Sequence, residues 1–407
     1  MTIEDREAFI YRAQVRAWIE GNADDPRALP AEQRHSGAPA HFAMARAWQA
    51  RKAEAGYACI AWPSEWGGTG GTALQQAIFQ QEEARANLNF TYFMVGLGIC
   101  LPAVIQHGDA SMRDRFVGPG IRGEDLWCQL FSEPSGGSDV AGARTRAVRD
   151  GADWIVDGQK VWTSSAHHAD YGLLLARTDP TVAKHAGLSM FWIDMRSPGI
   201  DVRPLRQMSG GSEFNEVFLT GVRVPDSQRV GAIGEGWKVT LTTLSNERLS
   251  MGGHTGIGWQ EVIEALRGVP GPDGPVTEDA GFRQRLADWY ANANALQQLS
   301  RRNLARLSDG SAPGAETAIG KLLWANQTQD LASHVMELIG EYGVISDSRL
   351  APLAGAFQRR VLEAPGLRLG GGTDEILRNI IAERILGLPP EPRVDKGIPF
   401  DALPVGR

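Results

Sequence analysis

The chain has 407 residues, 43% of them apolar and 22% charged, with a formal net charge of −7 at pH 7. That length predicts two or three domains, and the composition fits a globular protein. Lysine and arginine are interspersed with the acids and form no basic stripe of the kind nucleic acid requires, so no nucleic-acid partner is expected.

The opening stretch MTIEDREAFIYRAQVRAW carries charge throughout and does not read as a secretory leader. The longest apolar run, residues 92–105, is broken by Gly96, Gly98 and Pro102. It is too short to span a bilayer, so no membrane partner is expected. Cys59, Cys100 and Cys128 match neither a disulfide framework nor a zinc spacing. They read as buried thiols of a cytoplasmic protein, with no metal site.

In REAFIYRAQVRAWIE the apolar residues Phe9, Ile10, Ala13, Ala17 and Ile19 recur at helical spacing. Three further helices follow in PAHFAMARAWQARKAEAG, GTALQQAIFQQEEARAN and SMRDRFVGPGI, around a Gly- and Trp-rich loop, WPSEWGGTGGT. Near Asp125 the period changes. RTRAVRDG and DWIVDGQKVW alternate and carry an Asp157-Gly158 pair, a hairpin-turn signal. YGLLLART, LSMFWIDM, IDVRPLRQM and EVFLTGVRVP follow as strands. Helix returns at Gly236, where GWKVTLTTLSNERLSMGGHTGIGWQEVIEAL reads as one long element. A surface linker, GVPGPDGPVTEDAG, precedes two more long helices, and a last helix starts near Thr373. The expected class is α+β: an N-terminal helical domain over 1–124, a β-barrel-like middle domain over 125–234 and a C-terminal helical bundle over 235–407. There is no internal repeat.

Two glycine-rich segments stand out. QLFSEPSGGSDVAG, residues 129–142, offers many backbone N–H groups flanked by Ser132, Ser135, Ser138 and Asp139, a nest suited to a pyrophosphate or a polar ring edge. Such a loop serves equally as a plain turn. Near the C-terminus, GLRLGGGTDEILRNIIAERILGLP places three glycines before a helix start, where phosphates are commonly held. WTSS, residues 162–165, closes a strand, and its Trp162 suits a core position as well as a cofactor wall.

These segments, in this order and together with WPSEWGG, FNEVFLTGVRVP and GEGWKVTLTTLSNER, resemble the acyl-CoA dehydrogenase family over nearly the whole chain. The resemblance implies FAD as cofactor and an acyl-CoA thioester as substrate. It further implies a tetramer, of one chain or of two, and an electron-transfer flavoprotein as electron acceptor. By the resemblance Gln129, Phe131 and Ser132 contact the flavin edge. Ser138 lies near the pyrophosphate and the CoA chain, Trp162 and Ser164 line the flavin, and Thr373 and Glu375 meet the adenosine end. Glu337 stands where the family has a Gln ahead of a glycine pair that begins here at Gly340, a contact to a neighbouring subunit's FAD. The family's other neighbour motif is missing after Arg267, so Arg267 receives no role.

Many relatives carry the catalytic Glu where this chain has Gly371. The Gly371 backbone N–H remains available to the thioester carbonyl, and Gly372 lies beside it. Other members place the base on the long helix that opens the C-terminal domain. Glu247 matches that position, and Leu244 and Met251 put apolar residues on its face. A desolvated carboxylate there is expected to titrate high, as proton abstraction requires. Arg248 resembles the residue that meets the CoA phosphates. The expected activity is α,β-dehydrogenation to a trans-2-enoyl-CoA. Two alternatives stay open: a non-catalytic, FAD-holding subunit of a mixed tetramer, and a flavin oxidase or monooxygenase of the same fold.

Overall fold

A computed structural model describes residues 3–30, 33, 38–88, 90–251, 258–271, 273–308, 314–345, 350–393 and 395–403. The chain forms two compact units. One takes Met1–Gln207, Gly211–Ser250 and Glu391–Arg407; the other takes Met208–Gly210 and Met251–Pro390.

The first unit begins with helices α1 (Ile3–Asn22), α2 (Pro39–Glu54) and α3 (Ala73–Arg85). Thr72 starts α3 through a reciprocal capping box with Gln75. A π-helical turn, Gly96–Cys100, runs into α4 (Leu101–His107), and α5 (Ala110–Arg122) follows. The apolar run that sequence reading left unassigned is therefore helical, and its π-turn is buried at Gly96, Ile99 and Cys100.

Eight strands then form a single sheet: β1 (Trp127–Leu130), β2 (Arg146–Asp150), β3 (Asp153–Ser164), β4 (Tyr171–Arg177), β5 (Leu188–Asp194), β6 (Ile200–Leu205), β7 (Phe214–Pro225) and β8 (Arg229–Val230). Their order is β6-β7-β3-β2-β4-β5-β8, with β1 parallel to β4. The barrel-like expectation resolves into this sheet, whose outer strands β6 and β8 do not pair with each other among the described residues.

The expected turn at Asp157-Gly158 is not one. Both residues lie inside β3, and the β2–β3 turn falls at residues 151–152, where Gly151 takes φ +63°. Gly158 serves a different purpose. A Cβ there would come within 2.4 Å of Thr145 Oγ1 and 2.7 Å of its Cα, so the backbones approach more closely than any side chain permits.

Helix α6 (Gly236–Met251) leaves the sheet. Its Val239 is fully buried in a cluster with Cys100, Leu101, Val104, Phe116, Trp127, Leu188 and Met190. The single long helix expected from Gly236 is two helices. α7 (Trp259–Leu266) starts afresh at Gly258, whose N–H donates to Glu261. Gly252, Gly253, Gly256 and Gly258 crowd the junction, and each costs a helix about 1 kcal/mol relative to alanine. Residues 252–257 lie outside the described ones.

The second unit contains α7, a two-residue hairpin of β9 (Pro270–Gly271) and β10 (Gly274–Pro275), α8 (Ala280–Ser308), α9 (Thr317–Leu338), α10 (Ala356–Leu367) and α11 (Asp374–Ile380). Its core gathers Val262, Leu266, Phe282, Trp289, Leu331, Val335 and Phe357. α10 was not foreseen, and Pro365 within it obscures its helical pattern. The last helix is seven residues long and passes into a π-turn, Ile381–Ile385.

Buried Glu82 on α3 ties down α1. It accepts from Arg12 Nη1 at 2.8 Å, Arg16 Nε at 2.9 Å and Arg85 Nε at 3.1 Å. Chiefly through Arg16, and against its burial, its carboxyl is held down from 4.5 to about 2. Because the folded value is the lower one, the stabilisation is complete above the unfolded value. It is lost as pH falls from 4.5 towards 2. Glu82→Gln is expected to lower unfolding free energy at neutral pH by about 1–3 kcal/mol. It should also flatten the acid loss in that window, read by urea unfolding at several pH values. An unchanged acid slope would contradict this role.

Candidate active site

The Gln129–Gly142 segment is anchored at both ends by buried cations. After β1 the chain passes Phe131, which is buried, and folds back so that Glu133 and Gly136 exchange backbone hydrogen bonds of 3.1 and 3.0 Å. Lys160 on β3 is fully buried. Its Nζ donates to Phe131 O at 3.0 Å and to Glu133 Oε1 at 2.8 Å. Glu133 also accepts from the N–H groups of Arg144 and Thr145 at 2.7 and 2.9 Å. Burial pushes Lys160 down while Glu133 opposes it. Glu133 in turn is held below the usual carboxylate range by Lys160 and the two amides, against its own burial. At the far end, Arg177 on β4 donates to the carbonyls of Ala141 at 2.7 Å, Ala143 at 3.0 Å and Lys184 at 2.9 Å. Burial lowers Arg177 to about 10, so it stays charged at neutral pH. Between the anchors Ser135 and Ser138 are exposed.

Sequence reasoning singled out neither Glu133, Lys160 nor Arg177. A signal for Lys160 was present. Along β3 the inward residues are Trp154, Val156 and, two by two, Lys160. A charge at an inward position demands a buried partner.

That alternation would also turn Trp162 inward. Instead the β3–β7 register slips between Lys160 and Thr163, and Trp162 adopts φ +59°. The bulge reverses the phase. Trp162 emerges 60% exposed, edge-on to Phe214 at 6.1 Å, and Thr163 becomes buried. A left-handed tryptophan is strained by about 1–2 kcal/mol. Val161 N–H donates to Ser132 O at 2.9 Å, so the bulge lies alongside the strand end that carries Gln129, Phe131 and Ser132. Two orphan groups lie on these same stretches. Gln129 Nε2 and Thr163 Oγ1 are buried with no hydrogen-bond partner among the described residues. Ser164 is half-buried beside them. An exposed indole face with unsatisfied polar atoms on adjoining strands fits a planar heterocycle with a hydrogen-bonding edge. Thr163 is the residue that sequence reading missed here.

Glu247 is half-buried on α6, at four-residue spacing from the buried Val239 and Thr243. Leu244 is half-buried on the same helix, and the Met251 side chain lies outside the described residues. Cys100 in the π-turn senses the carboxylate. Burial pushes its thiol well up, and Cys128 and Glu247 push it further. His107 Nε2 and Thr242 Oγ1, 2.8 Å apart, link α4 to α6 nearby. The Arg248 side chain lies outside the described residues.

In the second unit Gly371 and Gly372 take φ +67° and +97°. Lys321 Nζ on α9 donates to Gly372 O at 2.6 Å. Thr373 Oγ1 caps α11 by accepting from Ile376 N–H. Asp374 is buried, and Arg368 and Asn326 hold its carboxyl below the usual range against that burial. With Asp374 and Glu375 in its first turn, this helix end already carries its own anions. At Gly371 and Gly372 the loop is half-buried backbone without side chains. Glu375 is exposed. Glu337 is exposed on α9, 3.4 Å from His334 Nδ1, and Gly340 follows the helix end at φ +54°.

Comparisons with known proteins show the family. Models of the acyl-CoA dehydrogenase N-terminal, middle and C-terminal domains match residues 5–124, 128–222 and 234–386. The chain belongs to the acyl-CoA dehydrogenase family, flavoprotein oxidoreductases that use FAD and act on acyl-CoA. It is 36% identical to acyl-CoA dehydrogenase IpdE1 of Mycobacterium tuberculosis over 405 residues, 96% of this chain and 99% of that one. It is 38% identical to acyl-CoA dehydrogenase FadE34 of the same organism over 379 residues. That match covers 93% of this chain but spans about half, 49%, of FadE34. Among solved structures it is similar to the Tcur3481-Tcur3483 steroid ACAD, with 28% identity, TM-score 0.81 and coverage of 95% and 98%. It is also similar to the ChsE4-ChsE5 complex from Mycobacterium tuberculosis, with 28% identity, TM-score 0.79 and coverage of 96% and 99%. No helix among the described residues is long and apolar enough to cross a membrane.

Lys160→Met would strand a buried carboxylate and is expected to cost about 3–5 kcal/mol in chemical unfolding. Adding Glu133→Gln should recover part of that loss, because the unpaired charge is what the first change leaves behind. No recovery would assign the damage to packing.

Proposed function

We propose that this chain removes hydrogens from Cα and Cβ of an acyl-CoA thioester to give the trans-2-enoyl-CoA, with Glu247 as the base that takes the α proton. The observation that carries this reading is the pairing of a missing side chain at Gly371 with a carboxylate on the buried Val239–Thr243 face of α6. Glu247 is half-buried, and its charge reaches Cys100 in the buried π-turn. The Gly371 N–H donates to the thioester carbonyl and stabilises the charge that develops there. Gln129, Phe131, Ser132, Trp162 and Ser164 hold the isoalloxazine. Ser138 serves the pyrophosphate and the CoA chain. Thr373 and Glu375 serve the adenosine end, and Gly372 and Arg248 serve the CoA. FAD, when bound, supplies the oxidising equivalent.

Glu337 and Gly340 reach a neighbouring subunit's cofactor in a tetramer. Assembly with a second, different chain is supported by the similarity to the ChsE4-ChsE5 complex. A bulky polycyclic acyl group as substrate is supported by the similarity to a steroid ACAD. The functional division is 1–124, 125–234 and 235–407. The electron acceptor is an electron-transfer flavoprotein, and the setting is the cytoplasm.

Glu247→Gln is expected to retain FAD yet lose about 10²–10⁴ in turnover, the usual share of a general base. The checks are the flavin spectrum of the purified protein and its anaerobic bleaching by acyl-CoAs. Near-normal bleaching rates would sink the assignment. Trp162→Gly should weaken FAD binding while changing apoprotein stability by less than about 1 kcal/mol, because relief of left-handed strain offsets the lost indole contact. Unchanged FAD affinity would remove Trp162 from the cofactor wall.

A further inference from the structure

The stretch after Pro390 returns to the first unit and lies against the loop anchored by Arg177. Pro399 bridges Ala183, Phe400 N–H donates to Val182 O at 2.9 Å, and Asp401 N–H donates to Pro180 O at 3.0 Å. These bonds set the Phe400 ring 3.4 Å from the Arg177 guanidinium, with Arg144 also over the ring at 5.3 Å. Arg177 is the residue whose other donors hold the carbonyls of Ala141 and Ala143. A second link runs through Lys184, which is 9% exposed. Its Nζ lies 3.0 Å from Asp139 Oδ2 and 2.5 Å from Asp395 Oδ2. Arg393 joins Asp395 at 2.8 Å. Asp139 directly follows Ser138 in the exposed part of the loop.

We infer that the tail segment around Asp395 and Phe400 is a strap that positions the far end of the Gln129–Gly142 loop. Phe400 covers the cation that holds the loop's last carbonyls. Asp395 shares the lysine that holds Asp139. A ring stacked on a buried guanidinium removes it from water and fixes its plane, and so fixes the directions of its donors to Ala141 and Ala143. A lysine between two carboxylates is held more closely than by either alone, and Asp139 loses freedom with it. Phe400 and Asp395 are therefore positioning residues for Ser138 and its neighbours, acting through Arg177 and Lys184. The consequence for catalysis rests on the flavin and CoA reading of the loop; the strap itself does not.

The test uses the full chain with Phe400→Ala, Phe400→Tyr and Asp395→Asn. Amide hydrogen exchange is followed through residues 133–143 in apoprotein and holoprotein, and FAD dissociation is measured alongside. Phe400→Ala is expected to speed exchange in the loop roughly tenfold, the size of one partly desolvated cation–π contact, while β4 and β5 keep wild-type protection. Asp395→Asn should do so to a smaller extent. Phe400→Tyr, which keeps the ring, should behave as wild type. FAD should leave faster in Phe400→Ala and Asp395→Asn, with kcat at saturating FAD unchanged. Unaltered loop exchange in Phe400→Ala would overturn the strap, and so would equal loss of protection through the whole sheet. Faster loop exchange with unchanged FAD release would uphold the strap and overturn the reading of the loop as a cofactor contact.

Discussion

The buried pair of Lys160 and Glu133 is the constraint on which the glycine-rich loop over residues 129–142 depends. Burying the two charges costs several kcal/mol each unless they meet each other and their remaining hydrogen-bond capacity is used. Here the capacity is used by the backbone. The Phe131 carbonyl takes the second donor of Lys160, and the amides of Arg144 and Thr145 fill Glu133. The pair thus ties β3 to the strand end after β1 and to the start of β2. A loop with this many serines and glycines has little stiffness of its own. It gains a defined path because leaving that path would strand a charge in the core.

That rigidity makes the strain at Trp162 tolerable. The bulge that pushes the indole outward begins directly after Lys160, on the strand the ion pair holds. A left-handed tryptophan on a mobile segment would relax. Anchored on one side by Lys160 and paired with β7 on the other through Thr163 and Ser164, it cannot. The same bulge buries Thr163 with its hydroxyl unsatisfied, and the Gln129 amide at the end of β1 is unsatisfied as well. Strain and unmet hydrogen bonds persist where a ligand relieves them.

The two segments proposed to serve the thioester differ in character. Gly371 and Gly372 adopt conformations that suit residues without a side chain, and Lys321 pins the Gly372 carbonyl. Glu247 sits on a regular helix whose inner face is fixed by Val239 and Thr243.

Much of this was legible in the chain itself. Hydrophobic period places β2 and the strands from β4 to β7 and most helices, because local alternation is a local property. Gln129, Trp162, Glu247 and Gly371 are singled out by the family resemblance that the order of the motifs carries. One local reading failed because another segment decides: Asp157-Gly158 resembles a turn, yet it lies inside β3 with Gly158 packed against the Thr145 backbone. Other features were beyond local reading altogether. The partner of Lys160, the outward flip of Trp162, the inner face of α6 and the docking of Phe400 on Arg177 each join residues far apart in sequence. Sequence specifies which side chains are charged, aromatic or absent. Which buried charge finds which partner, and which way a bulged strand turns a tryptophan, is settled only when distant segments compete for the same interior, where an unpaired group costs more than local preference can supply.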